Sequence, residues 1–207
     1  MRDFKQITPN IFIWSQFSQE KQLDFNGTWI IDGKTSILID PVVMNESQIS
    51  EVRKTANPQA ILLTNKDHRR AAPLLKETFG NIPIMIHAHD APLIDCRIDR
   101  TFISHDELPE NITMIHLPDC KSPGEVAFFV NKNKGSMILG DAIIGKPPEQ
   151  LSLLPQEKLP NPKAALRSLE KLLDYEFDIL ILGDGTSILS GAKEKVTSFI
   201  RNSSQIK

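Results

Sequence analysis

Strand and helix signals mixed through both halves of this 207-residue chain predict an α/β layered domain. Three observations carry that prediction. Short apolar runs rich in Ile, Leu and Val recur along the chain, and several end in aspartate, as in Ile37-Leu38-Ile39-Asp40. Segments with apolar residues at helical spacing lie between them. The length is sufficient for one substantial core and no low-complexity linker interrupts it, so residues 1–207 are expected to form a single domain.

The N-terminal third reads as strands at Ile11 to Trp14, Thr28 to Ile31 and Ser36 to Asp40. Asp32-Gly33 forms a hairpin signal between the last two, because glycine accepts the positive φ of primed turns. A helix is predicted from Glu46 to Ala56, with Asn45 as N-cap, Gln48 as its capping-box partner, and Ile49, Val52 and Ala56 on one face. Asn57-Pro58 ends it. A strand from Ala60 to Leu63, a helix from His68 to Phe79 stopped by Gly80, and a strand from Pro83 to Ile86 follow.

In the second half, strands are predicted at Ile112 to Leu117, Glu125 to Val130 and Ser136 to Leu139, with Asn133-Lys134-Gly135 as a turn. A helix from Lys163 to Tyr175 opens after Asn161-Pro162 and packs through Leu166, Leu169, Leu172 and Leu173. A buried strand from Asp178 to Leu182 and a last helix from Lys193 to Arg201 complete the order. The segment Ala142 to Pro162 holds five prolines and little periodicity, and reads equally as a lid over a site or as an irregular surface connection.

A composition of 40% hydrophobic and 24% charged residues with net charge -2 is that of a soluble globular protein, and it offers no basic patch for nucleic acid and no membrane partner. No apolar h-region opens the chain and no run approaches the ~18 apolar residues of a spanning helix, so a cytoplasmic location is expected. Cys96 and Cys120 are too few for a disulfide framework or a cysteine-based zinc site. The residues specify no oligomeric state.

Four aspartates follow apolar strand-like runs: Asp40, Asp67, Asp141 and Asp184. Ligand sites of layered α/β proteins gather at such strand ends. Each aspartate also has a plain structural use, Asp67 as an N-cap and Asp40 or Asp184 as a turn former. Their repetition is the signal, since converging carboxylates repel one another unless a cation or a proton offsets them.

The segment Thr64-Asn65-Lys66-Asp67-His68-Arg69-Arg70-Ala71-Ala72, the blocks Cys120-Lys121-Ser122-Pro123-Gly124-Glu125, Gly140-Asp141 and Gly183-Asp184-Gly185, and the earlier Asn26 to Ile30 and Leu38-Ile39-Asp40-Pro41 occur in a distinctive order. Together they resemble the metallo-β-lactamase superfamily over nearly the whole chain. That resemblance implies a four-layer αββα sandwich. The family's first motif is usually Thr-His-x-His-x-Asp-His; here Asp67-His68 aligns with its end and the His-x-His is missing upstream. Lys121 stands where the third block usually has histidine, and Asp184 where the last does.

In the intact family, as the resemblance implies, histidines of the first and third motifs hold one metal, the Asp-His pair and the last histidine hold a second, and the Gly-Asp aspartate bridges them. Mapped here, Asp67, His68, Asp141 and Asp184 remain as candidate ligands of a single site. That oxygen-rich set suits Mn, Fe(II) or Mg, or Zn, and would support a one-metal hydrolase of a small ester, thioester, lactam or phosphoester, with Asp67 and Lys121 as its catalytic groups. The rival reading is metal-free: Asn65, Lys66, Arg69, Arg70 and Lys121 compensate the carboxylates, and the cleft is a pseudoenzyme site or binds a small molecule. Loss of ligands together with gain of cations favours the metal-free version.

Other chemistry-bearing residues are expected to be structural. His87-Ala88-His89 has metal-ligand spacing but lies past the family's ligand block, and His105 and His116 read as surface or partly buried. Cys120 beside Lys121 reads more readily as a small core residue than as a reactive thiolate. Phe17 and Phe25, in a predicted loop from Ser15 to Gly27, read either as a flap over the cleft or as core.

Overall fold

The computed structural model describes residues 3–104, 106, 108–109, 112–159 and 161–205, and folds them into two facing β-sheets with helices on both outer faces. The first sheet runs in chain order through β1 (Lys5–Thr8), β2 (Ile11–Ser18), β3 (Leu23–Asp32), β4 (Thr35–Ile39), β5 (Asn57–Leu62), β6 (Ile84–His87) and β7 (Arg100–Phe102). The second holds β8 (Ile112–His116), β9 (Val126–Val130), β10 (Ser136–Leu139) and β11 (Ile179–Leu182), in the order β11-β10-β9-β8. The helices are α1 (Glu46–Thr55), α2 (Ala72–Thr78), α3 (Pro162–Glu170) and α4 (Ala192–Gln205).

Both faces of each sheet are covered, which is why the central strands read as unbroken apolar runs. In β4, Ile37 and Ile39 point between the sheets, where Ile13, Ile30 and Leu62 meet Val126, Phe128, Ile138 and Ile181. Leu38 points the other way and packs with Trp29, Val52 and Leu75 under α1 and α2. Leu139 and Leu180 pack outward against Leu166, Leu169, Val196 and Ile200 of α3 and α4. Each buried aliphatic side chain contributes roughly 1.5–3 kcal/mol. The predicted capping box of α1 is formed: Asn45 accepts from the Gln48 amide at 2.8 Å and Gln48 accepts from the Asn45 amide at 2.9 Å.

Three predicted elements are corrected and two strands are added. The helix expected from His68 to Phe79 is a 3₁₀ turn, Lys66–Arg69, followed by α2, with Arg70 between them at φ 33°. Pro73 explains the break, since inside a continuous helix its ring would meet the carbonyl of residue 69. The helix expected from Lys163 to Tyr175 tightens into a 3₁₀ turn at Lys171–Asp174. The loop expected from Ser15 to Gly27 is the far end of a long β2–β3 hairpin, pairing Gln16 with Phe25 and Phe17 with Asp24. Strands β1 and β7 were not predicted; both are short and lie at sheet edges. Among the described residues no helix is long and apolar enough to cross a membrane.

Candidate functional site: an acidic cleft filled by cations

The C-terminal ends of the parallel pairs β4–β5 and β10–β11 open at one end of the sandwich, and the recurring aspartates stand there. Asp40 follows β4 at φ 46°, a left-handed turn that aspartate tolerates better than most residues. Its carboxylate accepts from the Thr64 amide at 2.9 Å, the Thr64 hydroxyl at 2.6 Å and His68 Nδ1 at 2.8 Å. That fixes the imidazole with Nε2 aimed at Asp141 Oδ2, 3.4 Å away. Space for these contacts depends on two glycines. A Cβ at Gly140 would stand 2.2 Å from Thr64 Oγ1, and one at Gly183 would stand 2.7 Å from His68 Cε1.

Lys121 occupies the centre. Its ammonium donates to Asp141 Oδ2 at 2.7 Å and lies 2.9 Å from Asp67 Oδ2, while Lys66 Nζ holds the other Asp67 oxygen at 2.9 Å. Arg70 closes the opposite side. Its guanidinium donates to Asp184 and to the carbonyls of Asn26 at 3.0 Å and Gly183 at 3.2 Å, and stacks on Phe25 with Cζ 4.8 Å from the ring centre. A non-glycine residue at positive φ costs on the order of 1–3 kcal/mol, and here these contacts hold it. Asn26 fixes the same loop by donating to the Leu182 and Gly185 carbonyls, both at 2.8 Å.

The charges interlock. Burial and the nearby Arg70 work against a positive His68, but the Asp40 and Asp141 carboxylates outweigh them and raise its pKa to about 10. Burial would raise the Asp141 pKa, yet His68 and Lys121 hold it far below the usual carboxylate range. Burial likewise opposes the charge of Lys121, and Asp141 with Asp67 raises its pKa nonetheless. Burial raises the pKa of Asp184 against the pull of His68 and Arg70. Glu125, fully buried, accepts from Asn65 Nδ2 at 3.1 Å and from the Asp141 amide at 3.0 Å through one oxygen, and its other oxygen has no hydrogen-bond partner among the described residues. Burial and the Asp141 charge push its pKa well up, which favours its neutral form. Asp40, Asp67, Asp141 and Asp184 therefore face Lys66, His68, Arg70 and Lys121.

Of the residues predicted for the site, His68, Asp141 and Asp184 place ligand atoms within 4.8 Å of one another. Asp67 stands outside that group and joins it only through Lys121. Asn65 is buried beneath Asp141, donating to it at 3.2 Å. Arg69 is a correction: it turns outward to exposed Asp95, 3.9 Å away, because the strained Arg70 takes the place facing the cleft. Sequence reasoning did not assign Asn26 or Glu125 to the site, and Asp40 entered only as a strand-end aspartate. Cys120 is core, its thiol pKa raised by burial and then by Glu125 and Asp119.

A cleft of about 610 Å³ opens above these groups. Leu23 and Phe25 of the β2–β3 hairpin form one wall, and Ile144, Leu153, Leu154 and Pro155 of the 142–162 segment form another, with Lys21, Lys146 and Lys158 around it. The proline-rich segment thus lines the site. Phe25 faces the cleft, while Phe17, further along the hairpin, is exposed.

A second set of donors lies elsewhere. His87, His89 and His116 bring ring nitrogens within 4.8 Å of one another, a group that could hold a metal ion, so the description of a chain without a His-x-His metal pair is corrected. The third histidine arrives through the fold, where β8 of one sheet meets the end of β6 in the other. His105 lies outside the described residues.

A sandwich of two mixed sheets between helices, with its cleft at the Asp-His and Gly-Asp strand ends, defines a metallo-hydrolase fold. The sequence model of the metallo-beta-lactamase superfamily matches residues 3–202, and the chain belongs to that superfamily. Its members usually bind divalent metals such as zinc. Among solved structures, the chain is similar to DIM-1 metallo-beta-lactamase exposed to ceftazidime (TM-score 0.79, 17% identity, 96% of each chain covered). It is also similar to a metallo-beta-lactamase from Pontibacter korlensis (0.77, 11% identity, 96% of this chain and 98% of that one). A third is FIM-1 from Pseudomonas aeruginosa in a mono-zinc form (0.74, 14% identity, 98% of this chain and 96% of that one). A comparison with curated proteins gave no match.

Proposed function

We propose that the cleft is a metal-free site for a small anionic molecule with an apolar body, built on a hydrolase fold. The observation that carries this reading is Lys121, whose ammonium lies between Asp67 and Asp141 at 2.9 and 2.7 Å, with Arg70 on Asp184 beside it. Carboxylates paired in this way have their lone pairs and charge committed to side-chain cations, so the donor set does not fit an ion without displacing Lys121. The lining supports an anionic ligand: Lys21, His68, Arg70, Lys121, Lys146 and Lys158 outnumber Asp67, Asp141 and Asp184. The leucine and phenylalanine walls supply apolar contact, and the volume lies within the range of small-molecule sites.

The test is a thermal-shift screen of small carboxylates, phosphates and acyl anions against protein kept in chelator. A ligand that raises Tm equally with and without chelator, and loses its effect in Lys158→Ala or Phe25→Ala, supports the reading; binding that requires a divalent metal overturns it. A second reading places one divalent ion among His68, Asp141 and Asp184, and rests on the proximity of their ligand atoms. Under it the chain is a single-metal hydrolase, and metal content would follow Asp141.

A further inference from the structure

We infer that His87, His89 and His116 form a second, independent site that takes one zinc-class transition-metal ion and clips the two sheets together at their edge. The trio joins separate layers. His87 ends β6 and pairs in register with Phe102 of the edge strand β7, whereas His116 ends β8, the outer strand of the second sheet. The His87 and His116 rings stack with centres 4.1 Å apart, and His89 meets both edge-on at 4.9 and 5.5 Å. His87 is buried, His116 half-buried and His89 exposed, a gradient that leaves an approach for an ion from solvent.

The surroundings suit imidazole ligation. His116 Nε2 lies 2.8 Å from the Pro123 carbonyl, which accepts its proton and leaves Nδ1 with the free lone pair. A backbone carbonyl on the second ring nitrogen is the usual support of a ligating histidine. Among the described residues no lysine or arginine bonds a ring nitrogen of the trio; Lys171 Nζ lies beside it but donates to the His116 backbone carbonyl at 2.9 Å. The nearby Asp90 is occupied, accepting from the Lys66 amide at 2.8 Å, the Ser122 hydroxyl at 2.6 Å and the Gly124 amide at 2.7 Å. It adds negative potential without supplying a ligand.

Three imidazoles with an open fourth position select Zn(II), Co(II), Ni(II) or Cu(II) over Mg or Ca. A tetrahedral zinc with bonds of ~2.0–2.1 Å holds its ligand atoms about 3.3 Å apart, so on binding the trio must contract, exposed His89 swinging inward and the stacked His87 and His116 rings tilting so that their in-plane lone pairs converge. Binding would bridge the β6–β7 edge to β8 and so stabilise the folded chain.

The test uses tag-free full-length chain, stripped with chelator, dialysed, and titrated with zinc by calorimetry while Tm is followed; cobalt(II) is added in parallel for its visible spectrum. One zinc per chain, a Tm rise of several degrees and a tetrahedral cobalt spectrum are expected. His89→Ala, chosen because that side chain is exposed, and His116→Gln should each weaken zinc by at least the ~10–100-fold that loss of an outer-shell partner costs. Asp184→Asn, in the cleft, should leave the affinity unchanged. Wild-type chain that takes up no zinc, histidine variants that bind as well as wild type, or affinity that falls in Asp184→Asn would each overturn the site.

Discussion

The cleft and the histidine edge both gather metal-type donors, and they differ in what surrounds them. In the cleft His68, Asp141 and Asp184 are enclosed by Lys121 and Arg70, which occupy the space and charge an ion would use. At the edge, the rings of His87, His89 and His116 touch one another, Phe102 and backbone, and Lys171 donates to the His116 backbone carbonyl, not to a ring nitrogen. Proximity of donors therefore does not define a metal site by itself. Compensation by the chain's own cations separates a closed set of donors from an open one.

The most forceful way to break that difference is to strip the compensation. Lys121→Met leaves Asp67 and Asp141 without their shared cation. Removal of one partner of a buried pair costs about 3–5 kcal/mol, and with the Lys121 side chain 20% exposed a loss of roughly 2–4 kcal/mol is expected from urea denaturation. The same variant should gain affinity for divalent metal in the cleft; unchanged stability and unchanged metal affinity would mean that Lys121 is not the compensating charge.

The pH dependence sharpens the same point. Because the folded-state pKa of His68 is raised from 6.5 to about 10, the stability its charge contributes is complete below about pH 6.5 and is lost as pH rises through about 10. Unfolding free energy should decline over that window by up to roughly 5 kcal/mol, at about 1.4 kcal/mol for each pH unit, with a slope that His68→Gln lacks. Parallel slopes in the two proteins would show that His68 is not held as a cation.

Arg70→Ala ranks next, at about 1–2 kcal/mol. It loses the Asp184 pair, two carbonyl contacts and the Phe25 stack, and alanine keeps the strained positive φ. The smallest effect belongs to the edge: without metal, His89→Ala should change stability by no more than ~0.5 kcal/mol, as for an exposed side chain with no compensating role. A large loss there in chelator would mean that the trio is structural packing.

A layered α/β domain was legible because covered sheets need apolar strands, the αββα sandwich followed from the family resemblance, and the strand-end aspartates mark the site that such a fold creates. Lys121 and the Asp67-His68 pair were marked by the resemblance to the superfamily's motif blocks, which the order of those blocks in the sequence carries. What sequence could not give was direction. Arg69 and Arg70 are equivalent in the sequence, and only the break before Pro73 decides which enters the cleft. Asn26 and Glu125 act through distant chain segments, and no local pattern pairs them with Leu182 or Asp141. The spacing of His87 and His89 was visible, but His116 completes the group only through the packing of β8, so the pair read as incidental.

Metal analysis of tag-free chain purified without chelator, alongside Asp141→Asn and His89→Ala with folding checked by circular dichroism, tests the compensated cleft most directly. A cleft closed by its own cations predicts the same metal content in Asp141→Asn as in wild type, with any bound zinc lost in His89→Ala. Stoichiometric metal that disappears in Asp141→Asn and persists in His89→Ala would contradict it.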